Sequence, residues 1–117
     1  MSLPLTPDIL RHSYDFLNTT PPFNRWNLPD GEEITFVVIR SKTDAGWHMF
    51  DGGKHTIAIS GRCVGFTHKL IEVMAHEMVH AHEKHAGAAR SGVAHSAAFH
   101  RWAAQVCKIH GFDPKGF

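Results

Sequence analysis

The chain has 117 residues, 43% hydrophobic and 20% charged, enough apolar material for one domain with a modest core and too little for a second of ordinary size. A formal charge of +1 speaks against a strongly basic nucleic-acid surface, although Arg90, Arg101, Lys108 and Lys115 give the C-terminal third a local positive bias. The apolar runs fall far short of the ~20 residues that span a bilayer, the N-terminus lacks a signal-peptide pattern, and Cys63 and Cys107 form no C-x-x-C pair, so a cytoplasmic protein without membrane contact, thiolate knuckle or disulfide framework is expected.

Thr6-Pro7 reads as a helix N-cap followed by proline at the first helical position, and Ile9, Leu10, Tyr14, Phe16 and Leu17 make a crowded apolar side through about Asn18. Residues 19–31 are rich in proline and asparagine and form an irregular connection whose Phe23 and Trp26 are expected on the core. "ITFVVIR", Ile34 to Arg40, is β-branched and apolar enough for a largely buried strand. In "GWHMFDGGKHTIAIS", Asp51-Gly52-Gly53 is the turn of a hairpin, with Ile57 and Ile59 on its buried side. Thr67 is placed to cap a long helix reaching about His85. A glycine-containing loop, Ala86 to Ala94, leads to a last helix from about His95 to His110, ended by Gly111 and Pro114. The order is one helix, two or three strands, then two helices: an α+β domain spanning 1–117, with its core in about 34–112.

The chemistry concentrates in His76-Glu77-Met78-Val79-His80, an H-E-x-x-H pentapeptide. Residues four apart on a helix lie one above the other, so two imidazoles can reach one zinc, while Glu77, about 100° around the helix, sits beside the metal as a general base. Random order of this composition gives about 0.04 such pentapeptides, and here the pattern borders an apolar face made by Leu70, Ile71, Met74, Ala75, Met78 and Ala81. Two surface histidines flanking an exposed glutamate would read the same way.

A catalytic zinc normally takes a third protein ligand. No acidic residue lies between Lys84 and Phe112, so that ligand should be histidine, and the longer H-E-x-x-H-x-x-G-x-x-H pattern fails because Glu83 and Ala86 stand at its glycine and final histidine. His85 lies about 140° around the helix from His80 and points elsewhere. On the last helix Phe99, Trp102, Ala103, Val106 and Ile109 form an apolar stripe that extends back to His95; His100 falls on its flank and His110 at its far end. His95 is the phase-consistent third ligand. Glu83 borders the metal face and is expected in solvent, the alternative being a hydrogen bond to a group behind the ligands.

These residues resemble the SprT-like family of zinc metallopeptidases over roughly Phe36 to Phe112: a strand, the "GWHMF…HTIAIS" hairpin, "LIEVMAHEMVHA", and "AHSAAFHRW", similar to the family's third-ligand histidine with Phe four residues on. The resemblance implies a small zincin-like endopeptidase in which His76, His80 and His95 bind Zn2+, Glu77 is the base, the substrate is a peptide or protein, and "HTIAIS" is an edge to which it adds as a strand. Larger relatives continue into a cysteine-rich ribbon or DNA-binding tail, and eukaryotic ones digest proteins crosslinked to DNA. The near-neutral charge and the lack of such a module here weaken nucleic acid as a partner, the segment before the first strand matches poorly, and the small size suggests a bacterial or phage-type minimal member. Against the enzyme stand a non-catalytic zinc or peptide-binding module, which has no need of Glu77, and a metal-dependent ribonuclease, which needs another histidine spacing. His100, Arg90 and Arg101 are the nearest polar candidates for a transition-state donor, with Tyr14 far away in the chain.

Overall fold

A computed structural model of the chain describes residues 5–64, 66–89 and 92–117. Helix α1, Pro7–Asn18, starts as its sequence dictates: the Thr6 hydroxyl accepts the Ile9 N–H at 3.2 Å, Pro7 enters the first turn and Asp8 lies beside the helix N-terminus. Its buried face is Leu10, Ser13, Tyr14 and Leu17, a true 3.6-residue spacing. Phe16, expected on that face, is 58% exposed, because one step from Leu17 rotates it about 100° towards solvent. The connection behind α1 packs as expected, with Phe23 fully buried and Trp26 against the core.

Three strands follow: β1, Thr35–Ile39; β2, Gly46–Asp51; and β3, Lys54–Ser60. The β2–β3 turn needs only Gly52 and Gly53, both at positive φ (58° and 83°), the region glycine enters without steric cost and the twist a tight hairpin requires. Register pairs His48 with Ile57 and Phe50 with His55, placing these four on one face of the sheet with Gly46 and Ile59. Ile57 and Ile59 are fully buried, as expected; Ala58 on the opposite face is fully buried too.

The sheet order is β1-β3-β2, with β1 parallel and β2 antiparallel to β3. The segment "HTIAIS" is therefore the central strand, and the expectation that it forms a substrate-accepting edge is wrong: neighbours on both sides consume its backbone groups. The edges are β1 and β2. A two-residue turn makes Asp51 and Lys54 a hydrogen-bonded pair, which leaves the N–H and C=O of His48 and Phe50 directed to the open side of β2.

Helix α2, Thr67–His85, crosses the sheet, burying Leu70, Val73, Met74, Met78 and Val79. Its N-cap residue is Phe66, and Thr67 lies one position inside the helix, where it caps nothing. Gly46 allows the close approach of β2: a Cβ there would lie 2.6 Å from the Ala58 carbonyl and 3.2 Å from Val73 Cγ1. Helix α3, Ala97–His110, begins at Ser96, whose hydroxyl accepts the Phe99 N–H at 3.0 Å, and ends on left-handed Gly111, whose N–H reaches the Cys107 carbonyl. Its buried stripe is Phe99, Ala103, Val106 and Cys107; Ile109, expected there, is 45% exposed. At the far end His110 lies 2.8 Å from the Pro21 carbonyl, tying α3 to the connection after α1. Among the described residues no helix is long and apolar enough to cross a membrane.

Candidate metal centre

Three imidazoles converge where the middle of α2 meets the start of α3. Ring centroids are 5.0 Å apart for His76 and His80, 5.1 Å for His76 and His95, and 5.0 Å for His80 and His95. One potential ligand atom from each falls within 4.8 Å of the others. His76 and His80 owe their alignment to the i, i+4 spacing, whereas His95, expected on the last helix by its phase, stands just before the Ser96 cap, off the helix, and still meets them. Phe99 supplies the floor: its ring stacks on His95 at 4.2 Å and 6°, and lies 4.4 Å from His80 and 5.1 Å from His76.

Four other histidines stay outside this cluster: His85 is exposed, His100 is exposed with its ring edge-on to His95 at 5.8 Å, His110 is engaged at the far end of α3, and His82 stacks on Trp26 at 4.1 Å with Trp102 tilted against it at 4.3 Å. Of the candidate transition-state donors, Arg101 is exposed, Tyr14 is buried with its hydroxyl donating to the Pro29 carbonyl at 2.5 Å, and Arg90 lies outside the described residues. A polar side chain that also stands close is His48 of β2. Its ring is parallel to His80 at 6.5 Å, and its Nε2 is 2.8 Å from His55 Nδ1. The hairpin register was the available signal, because a Gly-Gly turn puts His48 and His55 on the face that carries Ile57 and Ile59.

The donors suit a divalent metal. Burial, followed by the neighbouring His80 and His95 rings, pushes the His76 pKa down to about 4, and burial likewise lowers His80 and His95, so all three are neutral near pH 7 with a lone pair available. Two ring nitrogens are already oriented by partners behind them: His76 Nδ1 donates to the main-chain oxygen of Phe117 at 3.0 Å, and His80 Nδ1 faces Glu83 Oε1 at 3.3 Å. Both arrangements leave Nε2 as the ring nitrogen with a free lone pair.

Glu77 is 4% exposed, burial raises its pKa to about 8, and its Oε1 has no hydrogen-bond partner among the described residues. An unpartnered buried carboxyl is costly unless something absent from a bare polypeptide, such as a cation or water, meets it. It opens on a cavity of about 230 Å³ that Thr43, Gly46, Glu72, His76 and Phe117 also line.

Glu83, expected in solvent, is 4% exposed, the reverse of that expectation. Burial alone would raise its pKa, but hydrogen bonds from Ser96 and His80 outweigh this and hold it below the usual carboxylate range. Its partner Ser96 comes from the start of another helix, which is why solvent exposure inferred from α2 alone failed.

Comparison with curated proteins gives no match. The family model described as "SprT-like family" matches residues 16–115, beginning within α1 and so further towards the N-terminus than the motifs alone suggested. With most of its length under that match, including His76, Glu77, His80 and His95, the chain belongs to the SprT-like family.

Proposed function

We propose that this protein is a zinc-dependent endopeptidase of zincin-like layout, with His76, His80 and His95 as the metal ligands and Glu77 as the general base. The observation that carries the reading is the buried Glu77 carboxyl, whose Oε1 has no partner among the described residues, in the wall of a cleft that it shares with His76 of the three-imidazole cluster. A site that only held metal for stability would have no use for an orphaned acid there. Zinc bound by these imidazoles would supply a Lewis acid that polarises the scissile carbonyl and acidifies water.

The chain's own residues do the rest. Glu77 takes a proton from the attacking water on a carboxylate oxygen and returns it to the leaving amine nitrogen. Its low-dielectric surroundings favour the protonated form, which suits a group that must hold a proton between the two events. The peptide is held as a further strand on the open edge of β2, whose outward backbone groups at His48 and Phe50 border the site. Two free thiols, Cys63 and Cys107, suit a reducing cytoplasmic setting.

The test is Glu77→Gln assayed on denatured casein with zinc content measured in parallel. The variant should keep its metal and lose at least about a hundredfold in rate, the usual contribution of a general base. Undiminished cleavage by the variant, or none by zinc-loaded wild type, would overturn the proposal.

A further inference from the structure

Glu83 divides its two oxygens between two elements. Oε1 faces His80 Nδ1 at 3.3 Å, while Oε2 accepts the Ser96 N–H at 3.2 Å and the Ser96 hydroxyl at 2.5 Å. Ser96 follows His95 directly, and its oxygen also accepts the Phe99 N–H that opens α3. A serine hydroxyl has one proton to give, and here Glu83 receives it, which leaves the oxygen lone pairs for the cap. The same carboxylate therefore touches one histidine of the cluster and fixes the residue next to another.

The contact with His80 also selects a tautomer. An ionised carboxylate only accepts, so Nδ1 carries the proton and the Nε2 lone pair is free. No lysine or arginine pairs with Glu83 among the described residues; His80 is its one ionisable partner. A buried anion kept for helix stability alone would be a poor choice at this place, because an apolar side chain would fill the space without desolvating a charge.

We propose that Glu83 is a positioning residue of the metal centre: it holds His80 in the tautomer that ligates through Nε2 and, through Ser96, sets the place of His95, so that two ligands from separate elements depend on one carboxylate. This rests on the zinc reading above. Glutamine at 83 would have one accepting oxygen and one donating NH2. With the oxygen on Ser96, the NH2 faces His80 Nδ1 and drives the ring proton to Nε2, where it blocks ligation. With the amide reversed, two donors confront the Ser96 N–H and hydroxyl, and the anchor beside His95 is lost.

The experiment combines zinc competition against a chelator with imidazole 15N NMR of the metal-free full-length chain, for wild type and Glu83→Gln. Wild-type His80 should be the Nδ1–H tautomer. The variant should shift towards Nε2–H and bind zinc some 10–100-fold more weakly, while its metal-free melting temperature stays close to wild type. Wild-type His80 in the Nε2–H form, or a variant binding zinc within twofold of wild type, overturns the proposal. If the variant does not fold, or if wild type binds no zinc and the peptidase reading falls, the wild-type tautomer decides alone.

Discussion

Replacing Glu77 by glutamine should remove from the metal-free protein a contribution to stability that falls as pH rises from 6.5 to 8. The folded-state pKa is raised from 4.5 to about 8 by burial, so between these values the native state holds a proton that the unfolded chain releases. Stability from this group is fully present below the lower value and is lost as pH rises through the upper one, at about 1.4 kcal/mol per pH unit for one proton. The buried histidines run the other way. Burial lowers the pKa of His48, His55, His76, His80, His82 and His95, to about 4 for His48, His76 and His82, so they add stability as pH rises through the unfolded value of 6.5, with a slope that fades over about one further pH unit. These histidines are common to wild type and variant, so the difference between the two curves isolates Glu77: from pH 6.5 to 8 wild type should lose about 2 kcal/mol relative to Glu77→Gln. Urea titrations in the presence of a chelator at half-unit pH steps would measure this. Glutamine cannot ionise, so this loss should be absent from its curve. Parallel curves for wild type and variant would refute the claim that the Glu77 carboxyl is buried without a partner. Saturating zinc should abolish the difference, since a cation beside the carboxylate lowers its pKa.

The packing has its own contrast: Ile57→Ala at a fully buried site should cost about 2–5 kcal/mol, whereas Phe16→Ala at 58% exposure should change stability by no more than about 0.5 kcal/mol, and thermal melts of both would expose a misassigned α1 face. Single-stranded DNA should bind weakly, because a formal charge of +1 offers few phosphate contacts; submicromolar affinity by fluorescence anisotropy at physiological salt would contradict this.

The features legible in sequence were those set by local periodicity. The Thr6-Pro7 start of α1, the Gly-Gly hairpin and the Gly111 stop each follow from residue chemistry within a few positions, and the structure has them where expected. The His76–His80 pairing is of the same kind, since helix geometry alone sets it. What was illegible depends on partners distant in the chain. Strand order is one case: nothing in "HTIAIS" says that β1 will close its other side, and so the central strand was mistaken for an edge. Glu83 is another, as its burial requires Ser96, 13 residues on. His48 came to the site through sheet register combined with the approach of α2 at Gly46, two non-local facts that no motif encodes.

The most direct test of the account is zinc stoichiometry in His95→Ala beside His100→Ala. The two histidines are five positions apart on the chain, yet His95 belongs to the cluster and His100 is exposed, its ring meeting His95 only edge-on at 5.8 Å. About one zinc per chain is expected in wild type and His100→Ala, with loss of most of the metal and all peptide hydrolysis in His95→Ala. Full occupancy without His95, or equal loss from both substitutions, would contradict this.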